Sequence, residues 1–262
     1  MIKFFRKIRY DLMNQNKTTK YFKYAIGEII LVVIGILIAL QINNRNQNRL
    51  ARIEEKTVLS NLKEDFQSAV EEFKFLNILR NDIISAGREI YEMNPIDIEK
   101  HPITYLDSLF FKTMSAPTFN NQSGSLNVLL TSGKINLISN QNLKEQLIEW
   151  PGDVADMTED EVNHSVLYTS KFSNILDKYI SWNDIFKQHY QRTIRFKSSS
   201  IKSLKKNAKI TSDYKLILED KIFLNTLNRR IVYCQLTNDE TDVLINKAQG
   251  IIKLIDNELS ND

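Results

Sequence analysis

The chain has 262 residues, 42% of them hydrophobic and 26% charged, which is ordinary for a globular protein of one or two domains. Only seven Gly and four Pro favour long helices over a strand-rich or loop-rich fold. A single Cys234 excludes an internal disulfide and a cysteine-based metal cluster, and the net charge of +3 is unevenly spread. Residues 1–23 carry Lys3, Arg6, Lys7, Arg9, Lys17, Lys20 and Lys23 against Asp11, so the rest of the chain is slightly acidic. The net positive charge is therefore a property of the tail and argues poorly for a nucleic-acid partner.

In the tail, Met1, Phe4, Phe5, Ile8 and Leu12 recur at three- and four-residue steps, with Lys3, Arg6, Lys7 and Arg9 between them. The pattern predicts a basic amphipathic helix on a membrane surface, its cations toward anionic headgroups. The competing reading is an unstructured basic tail.

Residues 24–44, YAIGEIILVVIGILIALQINN, organise the chain; from Ile29 to Leu40 no side chain is polar. The stretch has the length a helix needs to cross a bilayer, about 20 residues. No small-residue cleavage site follows Leu40, so an uncleaved signal anchor is expected rather than a removed signal peptide. The Lys/Arg excess before it predicts a cytoplasmic N-terminus and an outer, extracytoplasmic bulk. Glu28, Val32, Gly35 and Ala39 share one helical face. Gly35 and Ala39 form a small-xxx-small pair that permits close helix approach. That face reads as an interface with a second copy or a membrane partner, as a proton-coupled site at Glu28, or as a carboxylate reaching the headgroups.

The span, preceded by the basic MIKFFRKIR start, resembles the signature of an uncharacterised family of bacterial single-pass membrane proteins, known only as a domain of unknown function. The segment Ser123–Glu161, with SGSLNVLLTSGKINLISNQNL at its head, is similar to that family's middle region. The resemblance implies the inner membrane of a Gram-negative cell, with a periplasmic C-terminal domain. It implies no reaction, ligand or catalytic residue. Arg45 departs from it, standing where an interfacial Trp is expected.

Residues 45–262 read as an all-α domain with long helices over about 43–93, 140–182 and 213–259. Leu62, Ala69, Leu76, Ile83 and Ile90 form one heptad row, and Leu59, Phe66 and Phe73 a second. A continuous helix from Asn43 to Met93 would be about 75 Å long. Asn94-Pro95 ends it. A connector follows, with a short helix opened by His101-Pro102 whose apolar face is Leu106, Leu109, Phe110 and Met114. Asp107-Ser108-Leu109 resembles a bacterial O-glycosylation acceptor, or is a chance triplet. Ser123 or Ser125 is expected to cap a short helix stopped by Gly133, and Ser139 or Asn140 to cap the next long one. Pro151-Gly152 should kink that helix or start a new one. Its row of Leu147, Val154, Tyr168, Ile175 and Trp182 is interrupted by Glu161.

Residues 185–212 hold eight Lys/Arg and no acid. Arg192, Arg195, Lys197, Lys202, Lys205 and Lys206 are candidate contacts for an anionic partner, against a solvated loop as the plainer reading. Thr211 or Ser212 is expected to cap the last helix. There, Leu224, Ile231, Ile245, Ile252 and Leu259 form a row broken by Asn238. Leu227, Cys234, Ala248 and Ile255 make Cys234 a small core residue.

Asp153, Asp156, Glu159, Asp160 and Glu161 are expected to be spread around a solvated surface, with His164 a surface histidine near them. No phosphate loop, CxxC, HExxH or Gly-x-Ser-x-Gly is present. The expectation is an all-α protein, one membrane helix continuing into an elongated antiparallel bundle of up-down-up connectivity, without cofactor, metal or enzymatic activity. It would serve as a structural or protein-interaction subunit, with the lipid bilayer and a second copy or a membrane protein as partners. The alternative is a helical ligand-sensing module acting through a membrane partner.

Overall fold

A computed structural model describes Tyr10 and residues 18–120, 124–189 and 210–260. The chain divides into two compact units, Met1–Thr57 and Val58–Asp262. All regular structure among the described residues is helical. The tail cations Lys3, Arg6, Lys7 and Arg9 lie outside the described residues, as do Ser123 and Arg192, Arg195, Lys197, Lys202, Lys205 and Lys206.

Helix α1 is one unbroken element, Thr18–Glu92. With no proline inside it and glycine only at 27, 35 and 87, nothing in the sequence interrupts it. In the first unit, every side chain from Ile29 to Leu40 is exposed, and Glu28 is half-buried. By length and composition this stretch could cross a membrane.

The second unit is built on the C-terminal part of α1 and two further long helices. α1 ends at Glu92, and Asn94 caps a 3-10 turn, Pro95–Lys100, by accepting from the Ile96 N–H at 3.0 Å. Helix α2, Ile103–Thr113, buries Leu106, Leu109 and Phe110. Helix α3, Gly124–Thr131, begins beside Asp65, whose carboxylate accepts from the Ser125 N–H at 2.8 Å. Ser125 is therefore inside the helix and does not cap it. Gly133 takes φ 70°, the left-handed stop that glycine adopts without strain.

Asn140 caps helix α4, Gln141–Leu167, by accepting from the Leu143 N–H at 3.0 Å. α4 continues through Pro151 rather than restarting there. The irregularity comes later, as a π turn at Tyr168–Phe172, followed by α5, Ser173–Tyr179, and α6, Trp182–His189. The expected helix over 213–259 is broken near its start. Asp213 caps α7, Tyr214–Glu219, and Asp220 caps α8, Lys221–Ser260, through the N–H groups of Ile222 and Phe223. An aspartate carboxylate is the better acceptor here. Ser212 instead accepts from the Ser181 N–H.

Side-chain pairs fix the direction of the long helices. Lys63 meets Asp256, Asn77 meets Asp242, and Asn81 meets Asn238, so α8 runs antiparallel to α1. Asn140 meets Glu258 and Lys247 meets Asp153, so α8 is antiparallel to α4 as well. Phe66 packs on Trp150 and Arg80 on Glu161, so α1 and α4 run parallel. The alternating up-down-up path that three successive helices suggest is replaced by up-up-down. The segment 93–140 is long enough to return the chain to its starting end.

Two apolar clusters fill this unit. One joins Leu59, Leu62, Phe66, Phe73 and Leu76 of α1 to Leu143, Leu147 and Trp150 of α4 and Ala248, Ile251 and Ile255 of α8. The other gathers Ala86 and Ile90 with Phe110, Phe172, Leu176, Ile217, Phe223 and Leu227. Gly87 lets α1 approach α8 closely, since a Cβ there would lie 3.0 Å from Ile231.

Candidate functional site

Between the two clusters, at Arg80 of α1, Glu161 and His164 of α4, and Arg230, Cys234, Thr237 and Thr241 of α8, lies a layer of buried polar side chains. Arg230 and Thr241 are wholly inaccessible, and Glu161 and His164 are 2% and 3% exposed. Burial at this level is rare for charged groups and requires partners.

The partners are found in two sets. In the first, Arg80 forms an ion pair with Glu161 and donates to Thr241 Oγ1 at 3.1 Å and Asn77 Oδ1 at 3.0 Å. The second oxygen of Glu161 accepts from the Phe119 N–H at 2.7 Å. Burial pushes the Glu161 carboxyl up, opposed by the Phe119 N–H and by Arg80. Burial pushes Arg80 down, opposed by Glu161.

In the second set, the Arg230 guanidinium donates to the carbonyls of Thr113 and Ser115, and its Nε donates to His164 Nε2 at 3.2 Å. Its flat face is covered by the rings of Tyr168 and Phe172, with centroids 4.8 and 4.3 Å from the guanidinium carbon. The π turn supplies both rings, and such turns recur where a helix is bent to a local task. Tyr168 also donates its hydroxyl to the Met114 carbonyl at 3.2 Å. Burial lowers Arg230 to about 10.

What these groups hold is the strip that leaves the C-terminal end of α2 at Thr113 and runs irregularly from Met114 to Asn120. A non-helical segment lying across a helical core loses water from its peptide groups and must find replacements. Three successive carbonyls are met by Arg230 and Tyr168, the Phe119 N–H by Glu161, and the Asn120 N–H by Glu72 at 3.4 Å. Phe119 then stacks on Phe73, with ring centroids 4.2 Å apart. The layer is a set of clamps on this strip.

Its one nucleophile is not activated. Cys234 Sγ lies 3.8 Å from His164 Nε2. Burial pushes the Cys234 thiol up to about 11. Burial, with Arg230 and Arg80 adding to it, pushes His164 down to about 3. A thiolate–imidazolium pair requires the opposite shifts. Among the described residues no group of three or more His, Cys, Asp or Glu is placed to hold a metal ion.

The acidic stretch of α4 is solvated only in part. Asp156 and Glu159 are exposed, but Glu161 is buried against Arg80 and His164 is buried against Arg230. The surface reading of both residues is thereby corrected; their register turns them onto the α1 and α8 side of the helix. In the triplet Asp107-Ser108-Leu109, Asp107 and Leu109 are buried within α2 and Asp107 accepts from the Tyr214 hydroxyl. Ser108 between them is half-buried, on a helix rather than in a loop. Cys234 is a buried core residue, as its heptad row implies.

In the first unit, Val32, Gly35 and Ala39 are all exposed, and a Cβ added at Gly35 would meet nothing within 4 Å. Packing inside this chain does not require glycine there.

Compared with known proteins, residues 28–149 match the family described as "Family of unknown function (DUF6090)", a little under half of the chain. The match takes in the apolar stretch, Arg80 and the clamped strip, and stops before Glu161, His164 and Arg230. No curated protein and no solved structure matches the chain. The chain is thus similar, from Glu28 to Glu149, to a family without an established function.

Proposed function

We propose that this protein is a membrane-anchored structural or protein-interaction subunit without enzymatic activity. Its N-terminus would be cytoplasmic and its helical unit would lie outside the inner membrane. The observation that carries the reading is the bare stretch Ile29–Leu40: twelve consecutive residues, all apolar or glycine and all exposed, in a chain that elsewhere buries two apolar clusters. Leaving that surface in water costs about 25 cal/mol per Å², so a lipid environment is its natural cover. The polar layer supports the same reading, because its strongest donors and acceptors are spent on the protein's own backbone.

Glu28, Val32, Gly35 and Ala39 are the proposed meeting face for a second copy or a membrane partner, since the glycine there is free of any internal packing role. The sensory alternative draws on the buried layer and its π turn, which could have two arrangements. It would need a partner to carry the signal.

Carbonate washing of membranes followed by flotation tests the anchor, and protease protection of a C-terminal tag in spheroplasts tests the side. The protein is expected to stay with lipid and its tag to be cut from outside. Release by carbonate, or a mature N-terminus mapping past Leu40, overturns the reading. Crosslinking in native membranes should trap discrete larger species, and a chain that remains alone counts against an assembly role.

A further inference from the structure

We infer that the Thr113–Ser115 end of the clamped strip is an acid-released latch: Arg230 holds it to the bundle, His164 holds Arg230, and a proton on His164 frees it, while the Phe119 end stays fastened by Glu161. The geometry is specific. His164 Nε2 accepts from Arg230 Nε at 3.2 Å, so the proton of the neutral ring sits on the other nitrogen. Adding a second proton turns that acceptor into a donor facing a donor, and places two cations side by side where His164 is 3% exposed and Arg230 inaccessible. Among the described residues, the polar and ring partners of Arg230 are His164, the Thr113 and Ser115 carbonyls and the faces of Tyr168 and Phe172, so displacing it lets go of both carbonyls at once.

The groups around His164 offer a new cation no relief. From α8 come Arg230, the neutral thiol of Cys234 and the Tyr233 ring at 6.4 Å. From α1 comes Arg80, a second cation. On α4 itself, Glu161 lies one turn earlier, with its two oxygens taken by Arg80 and the Phe119 N–H. Tyr168, one turn later, donates to Met114.

The sign follows from linkage. With the latch closed His164 sits at about 3, and once water reaches it the ordinary value of 6.5 returns. The open form therefore binds the extra proton throughout that window, and falling pH favours opening. Glu161 behaves oppositely. Burial has raised its carboxyl, so the closed form keeps its proton at least as well as the open form, and acid does not pull the Phe119 end loose.

The single Cys234, 3.8 Å from His164, is a built-in reporter. The test measures its reaction with a dipyridyl disulfide, a reagent that works in acid, on the full chain in detergent. Rates are expressed relative to the urea-unfolded chain. Between about pH 7.5 and about pH 5 the wild-type rate is expected to rise by as much as about thirty-fold, with helical circular dichroism unchanged. His164→Gln keeps a neutral acceptor for Arg230 and should abolish the rise. Hydrogen exchange on the wild type, corrected for the intrinsic pH effect, needs no variant. Amides at 114–116 should lose protection in acid while Phe119 keeps its own. An unchanged Cys234 rate, an equal rise in His164→Gln, or loss of both ends of the strip in one step with global unfolding overturns the inference.

Discussion

Arg80 of α1 and Glu161 of α4 form an ion pair sealed between two apolar clusters, and the carboxylate also accepts from the Phe119 N–H of the strip that crosses them. One side chain thus joins two parallel helices and the connection between them. Removing it alone leaves a buried cation and an orphaned peptide N–H. Glu161→Leu is expected to cost about 3–5 kcal/mol in urea unfolding, while Arg80→Met combined with Glu161→Leu should recover much of that loss. A double variant no more stable than the single one would show that the pair is not an energetic unit.

A second prediction concerns pH. His164 in the folded chain sits at about 3, below its ordinary 6.5, because burial and two nearby arginines disfavour its charge. Its contribution to stability is complete above about pH 6.5 and declines as pH falls toward 3. By about pH 5 the loss should reach about 2 kcal/mol. Urea midpoints of His164→Gln measured at the same pH values should fall less steeply than those of the wild type.

Gly87 stands at a close approach of α1 to α8. A Leu there would overlap Ile231, already 3.0 Å from the position of a bare Cβ, and Gly87→Leu should destabilise the second unit by about 1–3 kcal/mol. Thermal unfolding followed by circular dichroism measures this directly.

Asp220 caps α8 and also accepts from the Tyr179 hydroxyl at 3.0 Å. Asp220→Ala should cost about 1–2 kcal/mol. Exchange of the Ile222 and Phe223 amides should rise before that of amides deeper in α8.

Gly35→Leu and Glu28→Gln test the first unit without touching the second. A Leu at position 35 has open space around it, so the urea midpoint of the helical unit should not move. Crosslinked species in native membranes should shrink or vanish. Unchanged size in both variants removes the proposed meeting face.

The heptad rows were legible in the sequence because burial repeats every seven residues: Leu59, Leu62, Phe66, Phe73, Leu76, Ile83 and Ile90 are all buried. The polar layer was legible only as one interruption, Glu161; Asn238, which breaks the α8 row, is half-buried and pairs with Asn81 outside the layer. Arg80 and Arg230 were missed because a charged residue on a helix normally faces water. The signal for both was present: Arg80 continues the row of Leu59, Phe66 and Phe73, and Arg230 stands in a row with Phe223, Thr237, Leu244 and Ile251. Helix direction was not legible at all, because periodicity says which face is buried and nothing about which end meets which. Side chains distant in sequence decided it, Phe66 with Trp150 and Lys63 with Asp256.

That up-up-down path has a cost during synthesis. The apolar face of α1 between Leu59 and Leu76 is finished against α8 residues as late as Ile255, so no neighbouring hairpin can shield it while the ribosome is still at work. Contacts of such long sequence separation form slowly, and an unfinished chain exposes a sticky ridge until α8 has emerged. A truncation that removes Ile251 and Ile255 is therefore expected to uncover the α1 face between Leu59 and Leu76 and to cost far more than the few residues lost.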